Sequence, residues 1–141
     1  MMEYLLKNSM GYQINKTANA INMQLNKILA KYNIAVEQRA TLEIIKFENN
    51  VNQTMIAQLL GKDKTTISRS LLALEKKGLI LRRVIQKDKR LKVIELTLKG
   101  EEILEQSQKE VNCFRAKLNA SLKTHETLFL FNTLDKVTQS I

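Results

Sequence analysis

The chain of 141 residues has no proline, four glycines, one cysteine and one histidine. Without proline nothing in the chain forces a helix to break, so long uninterrupted helices are open to it. The lone Cys113 cannot form an intrachain disulfide, and with His125 it offers only two of the four ligands that a structural zinc site normally takes. No metal and no cofactor is therefore expected. No nucleophile elbow, phosphate loop or dinucleotide-binding glycine pattern accompanies these residues, so nothing points to an enzyme. The longest apolar runs, such as Leu128–Phe131, are far too short for a bilayer. The first residues lack the basic-then-apolar order of a signal peptide, so the expected location is the cytoplasm, with no membrane partner.

What is present is a folded chain with an uneven charge. Hydrophobic residues make up 44% of it, enough to bury a core in one domain. Lys and Arg number 23 against 14 acidic residues, a net charge of +9, which suits a polyanionic partner. Between residues 62 and 92 eleven basic side chains face three acidic ones, so +8 of the charge sits in that stretch.

Apolar periodicity sets out the elements. From about Tyr4 to Tyr32, Leu6, Met10, Ile14, Ala18, Ile21, Leu25 and Leu29 recur at helical spacing, which predicts one long amphipathic helix with a break near Gly11. A second helix is expected over Val36–Glu48, burying Ala40, Ile44 and Phe47, and ended by Asn49-Asn50. Two short helices follow, one capped by Asn52 and stopped by Gly61, the next capped by Asp63 and stopped by Gly78. The short glycine-containing turn between them has helix-turn-helix form. Beyond Gly78 the period becomes two, and Leu79–Ile85 and Lys92–Leu96 read as a hairpin with a projecting basic tip over residues 86–91. Thr97 then caps a long helix, and a last helix starts at Thr124.

On a wheel of about 100° per residue, Ile67, Leu71 and Leu74 share the core side of the helix that follows Asp63. Thr65 and Arg69 lie opposite, flanked by Thr66 and Ser68. Small hydroxyls admit close approach to a major groove, and an arginine can bond a guanine edge with two hydrogen bonds. Taken alone, the same face reads more readily as plain solvated surface. Lys62 and Lys64 flank the cap. At the hairpin tip Lys87, Lys89 and Arg90 can reach phosphates or a flanking minor groove, with Asp88 holding the Arg90 guanidinium, although a charged solvated turn has the same composition.

The ordered set Leu59-Leu60-Gly61-Lys62-Asp63-Lys64-Thr65-Thr66-Ile67-Ser68-Arg69, then Leu74-Glu75-Lys76-Lys77-Gly78-Leu79-Ile80, Asp88-Lys89-Arg90 and Leu96-Thr97-Leu98-Lys99-Gly100 resembles the MarR family of bacterial regulators. The resemblance implies a mainly α fold with a small β-hairpin wing: a winged helix-turn-helix with long N- and C-terminal dimerisation helices. It divides one domain of 141 residues into a DNA-binding part at 35–97 and dimerisation helices at 1–34 and 98–141. It implies a homodimeric regulator, typically a repressor, on a pseudo-palindromic stretch of double-stranded DNA. Thr65, Thr66, Ser68 and Arg69 would meet bases and phosphates, Arg90 the minor groove, and Asp88 would orient it.

Relatives often respond to a small aromatic ligand, for which Tyr12, Met23, Phe47 and Phe114 are the candidate lining, unless they are simply core. Cys113 adjoins the apolar stripe of the long C-terminal helix and is expected to be inert. The peroxide-sensing branch of the family uses a cysteine in the first helix, where this sequence has none. The competing function is an architectural DNA binder with no ligand and little sequence preference. A winged helix used only for protein contacts fits the +8 patch poorly.

Overall fold

A computed structural model of the chain describes residues 2–85 and 88–141, the side chains of 85–91 excepted. Its helices are α1 (Met10–Leu29), α2 (Val36–Phe47), α3 (Gln53–Leu60), α4 (Lys64–Lys76), α5 (Leu98–Ala120) and α6 (Thr124–Gln139). One antiparallel hairpin, β1 (Ile80–Ile85) and β2 (Asp88–Leu96), stands between α4 and α5. The chain divides into two compact units, Met1–Ser107 and Gln108–Ile141, with the division falling inside α5. No helix among the described residues is long and apolar enough to cross a membrane.

Local chemistry accounts for most helix boundaries. Ser9 caps α1, accepting the Tyr12 N–H at 3.4 Å, and a 3-10 turn over Leu6–Asn8 precedes it. The expected break thus falls at Ser9, two residues before Gly11, because the hydroxyl satisfies one of the orphan amides of a helix start. Asn52 Oδ1 caps α3 through the Met55 N–H at 2.9 Å, and Gly61 ends that helix in the left-handed region at φ 63°. Asp63 Oδ1 caps α4 through the Thr66 N–H at 2.7 Å.

In the first unit the core gathers Leu42, Ile56, Ile67, Leu71, Leu74, Leu79, Ile80, Ile94 and Leu104. The expected inner face of α2 is rotated. Leu42 and Ile45 are buried there, Ala40 and Ile44 are half-buried, and Phe47 is 70% exposed. The rotation follows from Arg39, which is buried and turned inward. Its Nε donates to Ser107 Oγ at 2.8 Å, one terminal nitrogen to the Leu104 carbonyl at 3.3 Å and the other to Glu43 at 3.3 Å. A buried guanidinium is tolerated only when paired and hydrogen-bonded in this way.

The hairpin differs from expectation at its far end. Strand β2 begins at Asp88, four residues before the expected Lys92, and Ile85 pairs with Asp88. The register shifts between Val84, which faces Lys92, and Ile85, so β2 advances four residues while β1 advances one. At the other end the Ile94 N–H donates to the Val51 carbonyl at 3.0 Å, adding the segment after α2 to the root of the wing.

In the second unit the described apolar side chains are mostly exposed. Val111 is buried, whereas Leu128, Phe129, Leu130 and Phe131 are open to solvent. Cys113 is also exposed in the single chain. His125 sits exposed in the first turn of α6.

Candidate nucleic-acid interface

Helix α4 is held by its apolar face. Ile67, Leu71 and Leu74 are each fully buried, and each is worth about 1.5–3 kcal/mol of hydrophobic stabilisation. With that face committed, Lys64, Thr65 and Arg69 lie exposed, and Thr66 and Ser68 are half-buried beside them. The wheel therefore predicts the orientation of α4 correctly.

The start of α4 is fixed on two sides. Asp63 caps it, and the Gln53 carboxamide at the start of α3 donates to the Lys64 carbonyl at 3.0 Å. The Thr66 N–H, followed by the Thr66 hydroxyl, holds the Asp63 carboxyl below its ordinary value, and Arg69 adds a smaller electrostatic contribution. The cap is thus anionic at neutral pH and suits the positive end of the helix dipole.

Among the described residues, three bases of the 62–92 stretch have an acidic partner within the chain. Lys62 pairs with Glu37 at 3.9 Å, Arg82 with Glu75 at 2.5 Å, and Arg83 with Glu95. Since Glu37 and Glu95 lie outside the stretch, including them lowers its charge from +8 to +6. Lys87 and the side chains of Asp88, Lys89 and Arg90 lie outside the described residues.

The other end of α4 carries an arrangement that composition did not reveal. Gly78, at φ 73°, turns the chain out of the helix into β1. Thr97, at the end of β2, reaches back to this turn. Its hydroxyl donates to the Gly78 carbonyl at 2.6 Å and accepts from the Gly100 N–H at 3.1 Å, while its own N–H donates to the Leu79 carbonyl at 3.0 Å. Gly100 packs so closely that a Cβ there would lie 2.1 Å from the Leu79 carbonyl oxygen. The Leu74–Ile80 and Leu96–Gly100 motifs are therefore two halves of one joint.

Of the candidate ligand residues, Tyr12 and Phe114 are half-buried, and Met23 and Phe47 are exposed. Tyr12 and Met23, eleven residues apart on α1, are separated by about 16 Å. None of these four residues lines the cavities of about 340, 530 and 600 Å³. Among the described residues no cluster of three or more His, Cys, Asp or Glu side chains could hold a metal ion.

The MarR family model matches residues 34–92, from the residue pair before α2 into β2. The DNA complex of MepR from S. aureus superposes with a TM-score of 0.85 at 26% identity, covering 94% of this chain and 98% of that one. A MarR mutant from E. coli, bound to operator DNA, gives 0.84 at 25% identity, covering 96% and 99%. Over residues 34–92 the chain carries the MarR family pattern, and over almost its whole length it is similar to these regulators. YdgJ of Bacillus subtilis (strain 168), described as an uncharacterized HTH-type transcriptional regulator, is 25% identical over 130 residues, which are 92% of this chain and 77% of that protein. The likeness is accordingly to MarR-type transcriptional regulators, a family of regulators and not of enzymes.

Proposed function

We propose that this protein is a MarR-type regulator, a homodimeric repressor that acts in the cytoplasm on a pseudo-palindromic operator and is modulated by a small ligand. Residues 35–97 would be its DNA-binding part, and 1–34 with 98–141 its dimerising helices. Thr65, Thr66, Ser68 and Arg69 would meet bases and phosphates in a major groove. Lys62, Lys64, Lys87 and Lys89 would contact the backbone, and Arg90, oriented by Asp88, the minor groove. The observation that carries this reading is the exposed Thr65–Arg69 face of α4, set opposite three fully buried side chains and fixed by the Asp63 cap.

Dimerisation is supported by the second unit. Leu128, Phe129, Leu130 and Phe131 are 42–73% exposed. Four successive helical residues at about 100° each point in every direction around α6. Such a helix needs cover on more than one side, and a second copy of the chain supplies it in an isologous interface. Two recognition helices would then suit half-sites about 34–36 Å apart.

The test is selection of genomic DNA fragments by the purified protein at near-physiological salt. A recovered palindrome, preferred over random duplex by about a thousandfold or more, is the expected result. Flat enrichment, with binding that falls steeply as salt rises, would replace this reading by an architectural one.

A further inference from the structure

We propose that Leu72 is a specificity-determining residue of the DNA face and meets the 5-methyl group of a thymine in the major groove. The inference rests on the reading of α4 as a recognition helix and adds to it the base that one position prefers.

Helix α4 turns its other large aliphatic side chains inward. Ile67, Leu71 and Leu74 are fully buried, whereas Leu72 is 51% exposed. A leucine left half in water forgoes part of the stabilisation that burial gives its neighbours. Its direction is set by the helix. Around the axis Leu72 lies about 20° from Thr65, about 40° from Ser68 and about 60° from Arg69, but about 160° from Leu74. Thr65, Ser68, Arg69 and Leu72 thus share the i, i+3, i+4, i+7 spacing of one helix face. A homeodomain recognition helix presents its base-reading side chains at this same spacing. The rise from Thr65 to Leu72 is about 10.5 Å, which matches roughly three base-pair steps.

The surroundings of Leu72 favour a nucleic acid over an apolar protein surface. Along the same face stand Thr65, Arg69 and Lys76, all exposed. An apolar protein partner would have to take two cations out of water to reach one leucine, which is costly. A DNA duplex accepts cations on its phosphates or on guanine edges and leaves the leucine to the groove floor. Leu72 has neither donor nor acceptor, so it cannot read the hydrogen-bond pattern of a base edge. The apolar feature that the major groove offers is the thymine methyl, which pairs with apolar side chains.

The experiment replaces thymine by deoxyuridine, one position at a time, in the duplex recovered by genomic selection. Uracil keeps the pairing hydrogen bonds and lacks only the methyl. Affinities of the full-length protein and of Leu72→Ala are compared on each duplex at one salt concentration. At one or more positions uracil should weaken the parent by about fourfold, the worth of one methyl-sized apolar group, and leave Leu72→Ala unaffected. Such a difference of differences isolates the contact between side chain and methyl. The salt dependence of binding should be the same for both proteins, because no phosphate contact is lost. An unchanged thermal midpoint shows that the variant is folded. Equal losses for parent and Leu72→Ala at every position, or no loss for either, would overturn the inference while leaving a sequence-specific regulator in place. Failure to recover any preferred duplex would overturn the repressor reading, and this inference with it.

Discussion

The two ends of α4 are built differently. The first turn is held by neighbours in sequence or in the preceding helix: Asp63 on the Thr66 N–H and Gln53 on the Lys64 carbonyl. The last turn is held from about twenty residues away, by Thr97, Lys99 and Gly100 closing on Lys77, Gly78 and Leu79. In the proposed DNA-binding role, the first turn keeps the exposed side chains of Lys64 and Arg69 for the partner, because its neighbours hold it through backbone groups, the Thr66 N–H and the Lys64 carbonyl. The other end has no such obligation and can be locked against the rest of the fold.

This contrast can be broken first at the locked end. Gly100→Ala drives a methyl group into the Leu79 carbonyl, so it should cost about 3 kcal/mol or more, read from urea unfolding. A variant as stable as the parent would mean that the joint yields easily.

At the open end Arg69→Ala should weaken operator binding by about 1–3 kcal/mol while leaving the thermal midpoint within a degree or two. If the loss is the same on random duplex, Arg69 contacts phosphate and reads no base.

The smallest effect belongs to the cap. The folded-state value of Asp63 is lowered, so its charge contributes stability that is fully present above the unfolded carboxylate value and is lost as pH falls through the lower, folded one. Asparagine caps about as well without the charge. The advantage of the parent over Asp63→Asn in thermal midpoint should therefore be present at neutral pH and shrink below about pH 4. A difference that does not vary with pH would assign the cap's effect to geometry alone.

What was legible in the sequence was local. Asn52, Asp63, Gly61 and Gly78 mark helix ends because each acts on its own few residues of backbone, and the 67/71/74 spacing orients α4 because one helix defines its own face. The features missed are those made by residues far apart in the chain. Arg39 reads as a surface charge until Ser107 and the Leu104 carbonyl are brought to it. Arg82 and Arg83 count toward a basic patch until folding sets Glu75 and Glu95 beside them. The exposure of Phe47 follows from the same inward turn of Arg39. Gly100 could be named within a motif, yet nothing in the motif states that the Leu79 carbonyl occupies the space a side chain would need.

The bond between Val51 and Ile94, and those of Thr97 to Gly78 and Leu79, share a consequence for how such a regulator can change. Together they close the hairpin at its base, so residues 80–96 form a loop whose ends are already tied to each other and to the body of the protein. Lengthening or exchanging the distal part of such a loop adds little closure entropy, since that cost grows only with the logarithm of length. The wing is therefore an interchangeable part: its reach and charge can be revised without disturbing α4 or the start of α5.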